Sequence, residues 1–477
     1  MRGLRIDRLI AGSVLAFAAL GCSAKESGQA KPVSQDEAYE WLVAEEILER
    51  IQAPTFADRD FDIRKYGAKE GVEGGAGDAI AKAIAACNAA GGGRVLVPAG
   101  TYHTGPIHLL SNVNLHLAEG ATLKFSTNFS DYLPAVFTRW EGVELYNYSP
   151  LVYAFEQRNV AITGKGTLDG QATLENWLGW NIKSAPGGSK QIPARNRLFD
   201  YGRDHVPVEQ RVFGEGDFLR PNFIQPYRCE NVLIEGVTVI NSPMWEIHPV
   251  LCRNVTVRGV TVVSHGSNND GCNPESSKDV LIEDCHFDTG DDCIAIKSGR
   301  NNDGRRVNVP SENIVIRNCK MVDGHGGVVI GSEISGGVRN VFVENCEMSS
   351  PNLDRALRIK TNSIRGGLIE NIFVRDVEVG VVKDSVIKVN FVYEEGDAGD
   401  FAPVVRNVIV RRLISRKSKY ALYFKGYEHT PITGVHLIDC QFEGVEKPSV
   451  LQYVKGLRLD NVLMNTGAKT DIWGNPL

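Results

Sequence analysis

The sequence has no surplus of positive charge, no apolar stretch long enough to span a bilayer, no Cys-x-x-Cys pair and no helical periodicity through its central part. Its 52 basic residues are outnumbered by 58 acidic ones, giving a net charge of -6, so no general electrostatic drive draws it to nucleic acid or any other polyanion. An anionic substrate must therefore be met by local basic residues. The apolar run over residues 9–20 falls short of the roughly 20 residues that cross a membrane. Ten cysteines are present, but neither Cys-x-x-Cys nor Cys/His ligand spacing accompanies them, so they carry no zinc signature. Nothing implies a cofactor.

What the chain does have is a repeat. Short segments of one type begin at Asn231, Asn254, Asp279, Asn313, Asn340, Asn371, Asn407, Gly434 and Gly456, 22 to 36 residues apart, and earlier copies begin near Asn112 and Asn159. Counting the first residue as zero, offsets one, three, six and eight are mostly apolar. Offset five is Gly, Asn or Asp in eight of the nine, Arg412 being the exception, and these are the residues that tolerate a left-handed backbone at a bend. Each segment reads as strand, one-residue corner, strand, with period-two alternation inside each strand. Recurrence at this length without intervening helices argues for an all-β solenoid, a parallel β-helix. Such a fold can use 477 residues as one elongated domain, taken here as residues 59–477.

The N-terminus reads as a processing segment. Arg2, Arg5 and Arg8 precede the apolar run, which ends at Gly21-Cys22 before a polar stretch. This resembles a bacterial lipoprotein signal over residues 1–21, with Cys22 carrying the lipid as the one membrane attachment, in the periplasm or at the outer membrane. Ordinary secretion is the second reading. Residues 22–58 form a polar linker with a peripheral helix over residues 35–51. A second helix, with Asp78 as N-cap and Gly91 as stop, is expected to cap the open N-terminal end of the solenoid. Export makes disulfides possible, but Cys285, Cys319, Cys346 and Cys440 all fall at offset six, where other coils place Val or Leu. They are expected to be core-facing small hydrophobes.

Chemistry concentrates after the second strand of the central coils. Aligning the strands that begin at Cys272, Cys293, Gly327 and Ala356 places Asp270, Asp291, His325 and Asp354 two residues before each start. That alignment stacks Asp270, Asp291 and His325 in adjacent coils at about 4.8 Å per step, with Asp292 next to them and Arg358 and Lys360 on the following coil. Crowded carboxylates cannot all ionise easily, so one becomes an acid beside a base. Glycoside hydrolysis uses that arrangement. A calcium site is the other reading of clustered carboxylates, and His325 with the basic pair argues against it.

At these residues the chain resembles the polygalacturonase family of glycoside hydrolases, family 28, closest to bacterial exo-acting galacturonidases. Asn268-Asn269-Asp270-Gly271, Gly290-Asp291-Asp292, Gly324-His325-Gly326 and Arg358-Ile359-Lys360 match its four motifs in order. The similarity extends through FDIRKYGA at Phe61, GKGTLDGQ at Gly164 and NSPMWEIHPV at Asn241. The resemblance implies a right-handed parallel β-helix that hydrolyses α-linked galacturonate in pectin. It implies Asp291 as general acid, Asp270 and Asp292 activating water, His325 orienting Asp291, and Arg358 and Lys360 gripping the substrate carboxylate, with Tyr393 as a further substrate contact. Ladder spacing near 5 Å alone would suggest retention of configuration, whereas the resemblance implies inversion.

The interval between the coils at Asn159 and Asn231 holds a long stretch without coil pattern, and loops of that length are usually functional. Together with residues 298–306 it resembles exo-acting bacterial members, and Arg300 and Arg305 are the candidates for binding a terminal uronate, solvated loop charge being the other reading. Four other readings stand beside exo-hydrolysis: an endo-polygalacturonase, a rhamnogalacturonan hydrolase, a calcium-dependent pectate lyase, and a non-catalytic β-helical glycan-binding protein.

Overall fold

The computed structural model describes residues 34–184 and 188–466, and the signal-like segment with Cys22 lies outside them. The fold is the expected right-handed parallel β-helix. Successive coils pair in parallel, so that Val232, Val255, Val280, Ile314, Val341, Ile372 and Val408 form one buried column. All nine offset-five corners have positive φ, from +49° at Arg412 to +77° at Gly236. Offset zero is a second left-handed corner in every coil, with φ between +55° and +67°. This explains why Asn opens so many of the repeats: it accepts the left-handed conformation, and its amide bonds the coil before it. Asn340 donates to Asn313 at 2.9 Å, Asn371 to Asn340 at 2.9 Å and Asn407 to Asn371 at 2.7 Å.

The nine described cysteines are buried and free, and the four at offset six lie in the core as expected. Helix α1 (Gln35–Arg50) straps the outside of the solenoid. Its Trp41, Ala44 and Ile47 cover Leu281, Val315, Phe342 and Phe373, an apolar stripe at offset two that the strand alternation alone would assign to solvent. Ion pairs from Glu37 to Arg412 at 2.6 Å and from Arg50 to Asp279 at 3.2 Å fix its two ends. Helix α2 (Gly77–Ala89) buries Ile80, Ala83, Ile84 and Cys87 in the N-terminal end of the core. Its N-cap is Ala76 rather than Asp78, which lies in the first turn, where a carboxylate still meets the positive end of the helix dipole.

The stretch without coil pattern folds as helix α3 (Gln191–Arg203) and short turns. It packs on an antiparallel hairpin, Val136–Trp140 with Val143–Asn147, through Trp140, Val143, Leu145, Ala194 and Leu198. Residues 298–306 are not an open loop. They form the start and body of helix α4 (Asn301–Val307), locked to the hairpin by Arg306 and Glu144 at 2.5 Å, while Arg211 holds Asp303 at 2.7 Å. Hairpin, α3 and α4 together stand over one face of the solenoid.

Candidate active site

That face is built by the third strand of each coil. Ile294–Ile296, Val328–Ile330 and Arg355–Lys360 pair in register, Ile294 with Val328 and Val328 with Leu357. Counting back along these strands, Asp291 lies beside His325, as expected. Asp270 does not lie beside Asp291. Cys272 pairs with Ile294 rather than Cys293, and the Gly271 N–H bonds the Asp292 carbonyl, which puts Asp270 level with Asp292. The turn between Ser264 and Cys272 is longer than that between Thr289 and Ile294, so likeness of the Cys-led strands misplaces the register by one residue.

Asp270, Asp291, Asp292, His325, Arg358, Lys360 and Tyr393 all line one cavity of about 360 Å³. Asp291 Oδ1 lies 3.0 Å from His325 Nδ1 and accepts the Asp292 backbone N–H at 2.9 Å. Asp292 Oδ2 accepts from Lys360 Nζ at 2.6 Å, and Arg358 Nη1 stands 3.5 Å from Oδ1. Arg358 and Lys360 lie two apart on one strand and so share a face. The Tyr393 ring lies against both, 5.6 Å from the guanidinium and 5.4 Å from the ammonium. Asp270 Oδ2 accepts from Asn273 at 2.9 Å.

The electrostatics separate the three carboxyls. Burial, reinforced by the charges of Asp291 and Asp292 and opposed by Lys297 and Lys360, pushes Asp270 up to about 8. Burial also disfavours the Asp291 carboxylate, but the hydrogen bond with His325 and the charges of His325, Lys360 and Lys297 outweigh it and hold Asp291 well below the usual range. His325 is raised in return by its hydrogen bond to Asp291, against burial. Without substrate, Asp270 therefore keeps its proton at neutral pH, Asp291 is a carboxylate, and the hydrogen bond between Asp291 and His325 favours the protonated imidazole.

Two sequence candidates behave differently. Arg300 lines the cavity, but carboxylates already surround it: Glu333 at 3.2 Å, Glu394 at 3.5 Å and Glu141 at 3.6 Å. Arg305 is not brought to the cavity. It donates to the carbonyls of Ile364 and Arg365 at 3.1 Å and stacks on Phe401, because α4 turns it to the opposite side. Residues not singled out from the sequence also line the cavity, among them Lys297, Glu333, Trp245, Glu141 and Arg195. Lys297 occupies the same position in its strand as Lys360 does two coils on, with Gly331 between them, so the strand alignment already contained it. Arg195 comes from α3 and Glu141 from the hairpin tip, joined at 2.9 Å; no repeat position announces either.

A family model described as glycosyl hydrolases family 28 matches residues 215–462, more than half of the chain. A probable polygalacturonase of Vitis vinifera is 29% identical over 363 residues, covering 72% of this chain and 66% of that protein. An exo-poly-alpha-D-galacturonosidase of Dickeya chrysanthemi is 29% identical over 374 residues, covering 73% of this chain and 60% of the other. The chain thus spans a little under two thirds of the length of these curated relatives. The crystal structure of a hyperthermoactive exopolygalacturonase from Thermotoga maritima superposes with a TM-score of 0.86 and 47% identity, over 89% of this chain and 96% of that one.

Proposed function

The chain belongs to glycosyl hydrolase family 28, and from that premise we propose that it hydrolyses α-1,4-linked galacturonate in pectic polysaccharide or oligogalacturonides, releasing terminal residues with inversion. The observation that carries the reading is the meeting of three carboxyls, an imidazole and the Arg358/Lys360 pair in one cavity. Carboxyls supply acid and base, and the two cations match a uronate carboxylate. In this reading Asp291 protonates the glycosidic oxygen, while Asp292 and, in its ionised form, Asp270 activate the water that attacks the anomeric carbon.

Asp291 must gain a proton to act as an acid. An arriving uronate adds negative charge beside Arg358 and Lys360 and competes with Asp292 for them, so the field that holds Asp291 ionised weakens. The proton on His325, 3.0 Å away, is then the one that passes to Asp291. The raised Asp270 favours a reverse assignment, with Asp270 as acid, but among the three carboxyls it is Asp291 that the imidazole touches.

Exo action is supported by Arg195 and Glu141, which α3 and the hairpin, both outside the repeat, bring to the lining of the cavity. The Dickeya and Thermotoga relatives are named as exo-acting. The exported, Cys22-anchored placement is proposed from the first 22 residues alone, and labelling with a fatty-acid analogue, with Cys22→Ser as control, tests it.

The functional test is product analysis of polygalacturonate incubated with the mature protein and a chelator. Free galacturonate without ultraviolet absorbance, with the β-anomer appearing first by NMR, is expected. Mixed oligomers mean endo action, unsaturated products a lyase, and no cleavage another pectic substrate or a binding protein.

A further inference from the structure

Among the described residues, Lys297 is the cation in the cavity that lies between a proposed catalytic carboxyl and a carboxylate with no assigned role. Its side chain is 3% exposed, and its Nζ lies 3.4 Å from Asp270 Oδ2 and 3.2 Å from Glu333 Oε2. The Trp245 ring stands 4.4 Å away on another side. The contacts from Lys297 and Asn273 to Asp270 both fall on Oδ2, which leaves Oδ1 for a water in the cavity. Glu333 is anchored in turn by Arg300 at 3.2 Å.

We propose that Lys297 is a positioning residue for the hydrolytic step, orienting Asp270 toward the attacking water and setting the pH at which Asp270 gives up its proton to act as the base, with Glu333 setting how much of its charge Asp270 receives. This rests on the reading of Asp270 as a water-activating group. The charged groups facing Asp270 are Asp291 and Asp292 from the next coil, Lys297 from the end of the same strand, and Lys360 from two coils beyond. Glu246 lies behind it, fully buried and lifted well above the usual carboxyl range by burial and by Asp270 itself, so its charged form is disfavoured. Lys360 is already engaged by Asp292 at 2.6 Å. Lys297 is therefore the cation that opposes both the burial of Asp270 and the two neighbouring carboxylates. An opposite charge at this distance lowers a carboxyl pKa by about 1–3.

Three variants test the idea through the pH dependence of kcat and KM on a trigalacturonide. Lys297→Met keeps the volume and removes the charge. The acidic limb of kcat/KM is expected to move up by about 1–3 pH units, with kcat below the limb falling about tenfold per unit and KM little changed. Lys297→Arg keeps the charge and should retain the wild-type limb. Glu333→Gln removes the competing carboxylate and should move the limb the other way, to lower pH; it decides the matter if Lys297→Met does not fold. An unmoved limb in folded Lys297→Met, a loss confined to KM, or, where Lys297→Met does not fold, an unmoved limb in Glu333→Gln overturns the proposal. Wild-type turnover in Asp270→Asn would instead overturn the reading of Asp270 itself, a separate outcome.

Discussion

His325 Nδ1 lies 3.0 Å from Asp291 Oδ1, and the two shifts run in opposite directions, His325 upward and Asp291 downward. A raised histidine contributes stability that is full below its unfolded pKa of about 6.5 and is lost as pH rises through the folded value. A depressed aspartate contributes stability above its unfolded pKa of about 3.9 that is lost as pH falls through the folded value. The pair therefore stabilises the fold between these limits. His325→Gln should lower Tm at pH 5 and leave it nearly unchanged at about pH 9, beyond the titration of the imidazole; an equal drop at both pH values would show that the loss is packing.

Asp291→Asn removes the transferable proton with almost no change of shape. Its kcat on oligogalacturonides is expected to fall about 10²–10⁴-fold, with circular dichroism and Tm preserved. Galacturonosyl fluoride, whose leaving group needs no protonation, separates the acid from the base. Asp291→Asn should turn it over and Asp270→Asn should not. The opposite pattern would assign the acid to Asp270.

The repeat was legible because a solenoid writes the same constraints once per coil: apolar residues at offsets one and three, and a residue tolerant of positive φ at offset five, where even Arg412 adopts +49°. The motif residues were legible for the same reason, since coil stacking turns sequence offsets into neighbours. Asp270 was placed one residue off because backbone hydrogen bonds and turn length set register, and the sequence likeness between Cys272 and Cys293 carries neither. Arg195 and Glu141 were missed because α3 and the hairpin lie outside the repeat, where proximity depends on tertiary packing. Arg305 looked like a loop cation only because the helical turns of α4 were not foreseen.

Arg358 reaches Asp292 through Nη1 at 3.5 Å and lines the cavity, where its guanidinium can meet a substrate carboxylate. Arg358→Ala should raise KM for oligogalacturonides by about 10–100-fold, the range of 1.5–3 kcal/mol for a hydrogen bond to a charged group. The same variant should lose little on a substrate whose terminal uronate is reduced to the neutral sugar. Equal losses on both would mean that Arg358 serves Asp292 rather than the substrate.

Trp41 is 4% exposed, meets Phe342 edge-on at 5.6 Å between ring centroids and carries Arg375 at 3.6 Å over its face. It thereby seals the apolar stripe of Phe342 and Phe373, which alternation points outward and which α1 covers. Trp41→Ala should cost about 3–5 kcal/mol and lower Tm, while kcat and KM below the transition stay at wild-type values, because α1 packs on a different face from the cavity. Uncovering the stripe should also promote self-association, visible by light scattering as concentration rises. A Tm shift within error would show that α1 rests on the solenoid without stabilising it, and altered kinetics would show that the strap is coupled to the strands bearing Asp291 and Lys360.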